Sequence, residues 1–341
     1  MRKWIITGGA GFIGANLVRR VLKHSADVAV TVVDSLTYAG HRASLRECEA
    51  DPRYRFEHAD LCDYDAYARV VREVRPDCIL HLAAESHVDR SIHGPGVFVR
   101  TNVHGTFNTI ELARHLDKCR VVVVSTDEVY GSLGPDGHFT EDTSLDPSSP
   151  YSASKAAADL LALSYHRTFG LDVLVTRCSN NYGPFQMPEK LIPLMVQNAL
   201  SDRSLPVYGD GGNIRDWIHV DDHCRGILLA AEKGISGRVY NFGGESERTN
   251  LQVVRTILQH LGKPESLITF VKDRPGHDRR YAMDIRRART ELGFEPEKQF
   301  EGSLGATVDW YRANSAWCRE VQSEEHHQHL ARTYENRSVI A

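Results

Sequence analysis

Residues 4–14 read WIITGGAGFIG, an apolar, β-branched run that breaks directly into three glycines, Gly8, Gly11 and Gly14, spaced GxxGxxG. A strand, a glycine turn and a helix follow one another here. Glycine here permits a tight turn and brings backbone N–H groups close to a pyrophosphate. It also lets the following helix, predicted over 12–24, pack tightly on the strand. The helix start offers unpaired N–H groups and a partial positive charge to the anion. Asp34 ends the next predicted strand (28–34), 20 residues beyond Gly14. A carboxylate there accepts from the ribose hydroxyls of NAD and repels the extra phosphate of NADP. No arginine follows until Arg42, so the spacing favours NAD.

The same alternation continues. Predicted strands at 54–58, 78–82, 120–125 and 172–177 are separated by helical patterns at 64–74, 97–116 and 153–169. Such alternation argues for right-handed crossovers and a doubly wound parallel sheet buried on both faces, an α/β domain over 1–177. Ligands of such sheets lie beyond the carboxyl ends of the strands. There Asp60 can meet an adenine amino group beside Leu61, and the small Leu82-Ala83-Ala84 stretch lets a cofactor lie close. After Arg177 the rhythm changes to a Gly/Pro-marked loop, predicted helices at 191–200, 223–233, 251–261 and 304–314, and strands at 205–208, 217–220 and 238–242. This predicts a smaller, mixed substrate domain over 178–213 and 244–335, with 214–243 returning to the first sheet and 336–341 as a tail. The polar end from Glu320, with His326, His327 and His329, reads as a solvated helix.

Composition narrows the function. The 341 residues are 41% hydrophobic and 25% charged, which excludes wholesale disorder. A net charge of −4 lacks the positive excess that nucleic-acid binding demands. No apolar run nears the ~18 residues of a membrane span, and GGAG interrupts the start too early for a signal peptide. Seven scattered cysteines without CxxC fit a reducing, cytoplasmic setting rather than a disulfide framework or zinc site. The His219-x-x-x-His223 pair with Asp221 and Asp222 has metal-like spacing. Its simpler reading is a helix capped by one of the aspartates, with no metal.

Tyr151 and Lys155 lie four apart at the start of a predicted helix and so share a face. A neighbouring ammonium and a positive nicotinamide ring should lower the phenol's pKa from ~10 far enough for Tyr151 to take a proton from a sugar hydroxyl. The fifth strand runs into Thr126, Asp127 and Glu128. Thr126 can hydrogen-bond the reacting hydroxyl. Two adjacent carboxyls exceed what alcohol oxidation needs, but suit removal of a proton from carbon with donation of another to a leaving oxygen. For that they must sit in different environments, one protonated and one ionised.

GGAGFIG, LTYAG, FEHADLCD, HLAAESHVDRS, STDEVYG, YSASK, CSNNYGPFQMPEKLIP, IRDW, YNFGG and DRPGHDRRYA occur in order from Trp4 to about Tyr334. Together they resemble the dTDP-glucose 4,6-dehydratases, extended short-chain dehydrogenases/reductases of Rossmann fold. The resemblance implies tightly held, recycled NAD, a nucleotide-sugar substrate, a role in deoxysugar biosynthesis and a homodimer formed by the helices near 97–116 and 153–169. It gives Tyr151, helped by Thr126 and Lys155, to oxidation at carbon 4. Glu128 is given to proton removal at carbon 5, and Asp127 to protonation of the departing carbon 6 hydroxyl. Cofactor contacts are implied at Phe12, Ile13, Asp34, Ser35, Leu36, Thr37, Asp60, Leu61, Ser86, Thr101, Tyr151, Lys155 and Asn181.

A sugar diphosphate needs local cations in an acidic protein, and Lys190, Arg215, Arg274 and His277 are the candidates. The resemblance adds Asn180, Leu191 and Asn250, with Asp273, Pro275 and Gly276 around the cations. It places Ser86 on the sugar and Pro206, Val207 and Tyr208 on the base or ribose. Phe185 and Met187 leave fine substrate preference open. A nucleotide-sugar 4-epimerase would share the glycine loop and the Tyr/Lys pair without needing Asp127 and Glu128. A non-catalytic NAD-binding scaffold should have lost Tyr151, Lys155 or the acidic pair.

Overall fold

The computed structural model describes residues 1–273 and 276–322. In chain order its first half comprises β1 (Arg2–Thr7), α1 (Phe12–His24), β2 (Val28–Asp34), β3 (Tyr54–His58), α2 (Tyr64–Val74) and β4 (Cys78–His81), then α3 (Val88–His93), α4 (Pro95–Phe98), α5 (Gly105–Arg114), β5 (Arg120–Thr126), α6 (Pro150–Phe169) and β6 (Val173–Cys178). The second half adds β7 (Asn180–Tyr182), α7 (Leu191–Leu200), β8 (Leu205–Tyr208), β9 (Ile214–His219), α8 (Val220–Lys233) and β10 (Val239–Phe242), followed by β11 (Glu247–Thr249), α9 (Asn250–Leu261), β12 (Ile268–Val271), α10 (Phe300–Ala313) and α11 (Ser315–Val321).

Seven strands form one parallel sheet in the order β10-β6-β5-β4-β1-β2-β3. The chain steps from β1 to β2 and β3 on one side, then returns to lay β4 on the other. The crevice for a ligand therefore opens between the ends of β1 and β4. Apolar residues cover both faces: Val18, Val21, Ile227 and Phe242 belong to one core, and Tyr67, Val71, Ile110 and Ala162 to the other. A third core, with Met195, Val207, Trp217, Val254 and Tyr311, lies under the small sheets β11-β9-β7 and β12-β8.

Two expectations change. The single helix predicted over 97–116 is instead α4, a π turn at Val99–His104, and α5. Apolar spacing could not reveal the break, because its reason is a tertiary contact. The Asn102 amide accepts from Glu85 N at 2.8 Å and donates to Glu85 O and Ser154 Oγ at 3.0 and 2.8 Å. π turns of this kind recur at functional sites. Helix α8 is capped by His219, whose ring accepts from Asp221 N, rather than by an aspartate. Near the chain end α11 buries Trp317, Cys318 and Val321. The expected solvated helix, with His326, His327 and His329, lies outside the described residues. Among the described residues, no helix is long and apolar enough to cross a membrane.

Candidate active site

A cavity of about 720 Å³ runs across the carboxyl ends of β1–β6, from the glycine turn to the first turns of α6. The fit of a dinucleotide is tested by how closely its walls approach. A Cβ on Gly8 (φ +67°) would stand 2.6 Å from Ala83 N, and one on Gly14 would stand 2.2 Å from Gly8 O. Only glycine leaves that crevice open. Gly11 caps α1 in extended conformation with no side chain over the helix start among the described residues, so the first N–H groups face the cavity. Asp34 is buried. Its two oxygens accept from Ala10 N at 2.9 Å and Leu36 N at 2.8 Å, and the carboxylate lines the cavity with lone pairs to spare.

Gly8, Gly11, Phe12, Ile13, Gly14, Asp34, Ser35, Thr37, Asp60, Leu61, Leu82, Ala83, Ala84, Ser86, Thr101 and Asn181 line this cavity, as do Asn180, Lys190 and the five catalytic candidates. Leu36 does not. Its φ of +51° turns the backbone back so that its N–H reaches Asp34, while its side chain packs on the core. The outer substrate candidates gather separately. Tyr208 and His277 stack edge to face with ring centroids 5.9 Å apart, and His277 Nδ1 lies 2.6 Å from Asp273 Oδ1. Gly276 stands at φ +62° over the Ser148 carbonyl. Arg215 donates to Asp278 O at 2.9 Å and lies over the Tyr281 ring, close enough to favour ionisation of Asp127. Asn250 opens α9, its N–H donating to Asn213 O. Leu191 and Val207 belong to the third core, so they can offer a ligand backbone groups rather than side chains, and Pro206 shares the strand with Val207. Arg274 and Pro275 lie outside the described residues.

The reacting end is built by β5 and α6. Ser149 and Ser152 form a reciprocal capping box with Pro150 in the first turn, which fixes where α6 begins. Tyr151 therefore sits in that first turn, edge to face with Phe98, and Lys155 one turn on. The expected lowering of the phenol by Lys155 is corrected. The buried Tyr151 hydroxyl is held well above its usual range, first by burial and then by the Glu128 carboxylate, with a hydrogen bond to Thr126 opposing. Lys155 donates instead to Val124 O at 2.8 Å, and burial lowers its own pKa.

Asp127 and Glu128 begin a 3₁₀ turn at Asp127–Tyr130, capped by Thr126, whose Oγ accepts from Glu128 N. Their surroundings differ. Asp127 is 2% exposed, and burial, then Glu128, pushes its pKa well above the carboxylate range. Asp127 Oδ1 accepts from Thr126 Oγ at 3.2 Å, while Oδ2 has no hydrogen-bond partner among the described residues. A carboxyl so placed holds its proton. Glu128 is half-buried at the cavity wall.

Sequence reasoning missed Tyr38, Gly40, Glu85, Arg100, Cys178, Ser179 and Glu189, all on the cavity wall. LTYAG and PEKLIP carry the signal for Tyr38 and Glu189, which adjoin Thr37 and Lys190. Glu189 is buried beside Arg90 (3.5 Å), and Arg90 lies 4.0 Å from the Tyr38 ring centroid. That cluster ties the loops bearing Ser86 and Lys190 together, Lys190 donating to Ser86 O at 3.1 Å. Among the described residues, no group of three His, Cys, Asp or Glu is placed to hold a metal.

A seven-stranded parallel sheet, a glycine crevice at its switch point and a Tyr-x-x-x-Lys pair at the strand ends define an extended short-chain dehydrogenase/reductase. Residues 5–307 match the GDP-mannose 4,6 dehydratase family. A dTDP-glucose 4,6-dehydratase of Neisseria meningitidis serogroup B is 51% identical, covering 94% of this chain and 96% of its own. The crystal structure of a dTDP-glucose 4,6-dehydratase from Streptomyces venezuelae, solved with NAD bound, is 51% identical and superposes with a TM-score of 0.90 over 94% of this chain and 99% of that one. A UDP-glucuronic acid 4-epimerase from Bacillus cereus shares the fold (TM-score 0.85; 92% of this chain and 99% of that one) at 29% identity. The chain belongs to the GDP-mannose 4,6 dehydratase family and, within it, to the dTDP-glucose 4,6-dehydratases.

Proposed function

We propose that this NAD-dependent hydro-lyase converts dTDP-glucose into dTDP-4-keto-6-deoxyglucose and water. The observation that carries the reading is the unequal acid pair: a buried Asp127, whose pKa burial pushes up, next to a half-buried Glu128, both beside Tyr151. An epimerase has no use for it. Gly8 to Gly14, Asp34, Ala83 and Asn181 hold the dinucleotide, and Lys190 and Arg215 meet the sugar diphosphate. NAD held there would supply a hydride acceptor for carbon 4, a positive ring that favours the Tyr151 phenolate, and a hydride donor for carbon 6.

Tyr151, bridged by Thr126, takes the carbon 4 hydroxyl proton. The resulting ketone acidifies the carbon 5 hydrogen, which Glu128 removes. Asp127 gives its proton to the carbon 6 oxygen, which departs as water, and the returning hydride and a proton complete the product. Oxidation and reduction cancel, so no second substrate is consumed. A mixture of unlabelled dTDP-glucose and dTDP-glucose that carries ¹³C throughout the hexose and deuterium at carbon 4 tests this. Mass spectrometry should find the deuterium at carbon 6 of the same molecules, without crossover. Deuterium lost to water, or retained at carbon 4 as in an epimerase, rejects the reading.

The enzyme works as a homodimer in this proposal. Val99 (57% exposed), Phe107 (38%) and Leu160 (58%) display apolar side chains along the π turn, α5 and α6, which pack side by side. Apolar side chains exposed along neighbouring helices support an interface there. Light scattering should give twice the chain mass for the wild type and the single-chain mass for Leu160→Glu. A monomeric wild type refutes the dimer.

A further inference from the structure

His223, half of the metal-like pair singled out in the sequence, is fully buried in the first turns of α8 and plays no part in the chemistry above. Its Nδ1 lies 2.9 Å from Asn181 Oδ1. The polarity of that contact follows from the other side of the amide. Asn181 Nδ2 stands 2.9 Å from the Ser179 carbonyl, which can only accept, and 3.3 Å from Cys178 Sγ. The thiol's own hydrogen is directed at Ser125 O at 3.5 Å. Both Nδ2 hydrogens are thereby engaged, and Oδ1 must be the atom facing the ring. Oδ1 cannot donate, so the imidazole does, from Nδ1. Burial holds the ring neutral, its pKa lowered to about 3. The bare Nε2 has no partner among the described residues.

One capacity of the Asn181 amide is left: a second lone pair on Oδ1, on a residue that lines the cavity. We infer that His223 is a positioning residue that locks Asn181 as an acceptor-only group, and that this group reads the carboxamide NH₂ of the nicotinamide. The inference rests on the NAD reading above. It assigns Asn181 the selection of the ring's rotational state rather than mere contact. Without the imidazole donor only the Ser179 carbonyl and the Cys178 sulfur still resist a turn of the amide that would offer its NH₂ instead.

The test uses the full-length protein equilibrated with a mixture of NAD and its acetylpyridine analogue, in which a methyl replaces the carboxamide NH₂. The dinucleotides that stay bound are released and quantified. A buried acceptor left unpaired should exclude the analogue roughly tenfold to a hundredfold from the wild type. His223→Leu should bring that ratio within about threefold of one, and His223→Gln, which restores an N–H donor, should recover the discrimination. A merely structural role would weaken both dinucleotides alike, so an unchanged ratio in a folded His223→Leu protein overturns the inference. A wild type that retains neither dinucleotide overturns the cofactor reading with it. Should His223→Leu not fold, ¹⁵N-resolved imidazole spectra of the wild type decide: a proton on Nδ1 is expected, and one on Nε2 contradicts the proposal.

Discussion

Glu128→Gln is expected to lower dehydration by roughly 10²–10⁴-fold, the range that a positioned general base supplies, while oxidation at carbon 4 survives. Glutamine keeps the volume and the backbone bond from Glu128 N to Thr126 Oγ, so the cavity retains its shape. What disappears is the only function proposed for the side chain, accepting the carbon 5 proton. The reaction should stall at the 4-ketone, visible as reduced-nicotinamide absorbance that rises on adding substrate and decays slowly. Asp127→Asn should produce a comparable loss for a different reason, because an amide in that buried position cannot protonate a departing hydroxyl. A substrate carrying chloride at carbon 6 separates the two. Chloride leaves without a proton, so it should rescue Asp127→Asn and leave Glu128→Gln slow. Full dehydration by Glu128→Gln, or its rescue by the chloride, removes Glu128 from the role of base.

The parts of this site legible in the sequence are those imposed by local rules. The strand–glycine–helix unit at Gly8 to Gly14 is set by sterics within a few residues, and α1, β2, β3 and α2 fall where their hydrophobic periods place them. Tyr151 and Lys155 share a helix face by geometry alone. Residues read wrongly or overlooked owe their roles to distant partners. Gly40 sits where a Cβ would stand 2.5 Å from Asp34 Oδ1, a constraint invisible until the loop after β2 folds back over the strand end. The π turn is set by Asn102 reaching Glu85 and Ser154. Lys155 was expected to act on the phenol one turn away, but the Val124 carbonyl across the β5–α6 junction claims its ammonium. Hydrophobic period carries no record of polar contacts between elements, and these decide a binding wall.

Such contacts also govern the other large effect, expected beneath the site rather than in it. Asp159→Ala should cost about 3–5 kcal/mol of stability, the usual consequence of stranding one member of a buried ion pair. Arg177 Nε donates to Asp159 Oδ2 at 2.9 Å, with 3% and 0% of the two side chains exposed. Arg177 also donates to Tyr130 Oη at 2.8 Å, and Tyr130 donates to Asn241 Oδ1 at 2.9 Å, so the pair joins β6 and α6 to the 3₁₀ turn of the acid pair and to β10. Without Asp159 the guanidinium keeps a phenol as partner but no counter-charge. Lys155, one helical turn away and already lowered by burial, loses the neighbour that most favours its charged form. The variant should therefore unfold at lower urea and lose turnover together, whereas Leu160→Glu at the exposed neighbouring position of α6 should alter assembly alone. Asp159→Asn still accepts from Arg177 and should fall between. An Asp159→Ala protein within 1 kcal/mol of wild type would mean that the tyrosine alone satisfies the arginine, and that the pair serves packing rather than charge balance beneath Lys155.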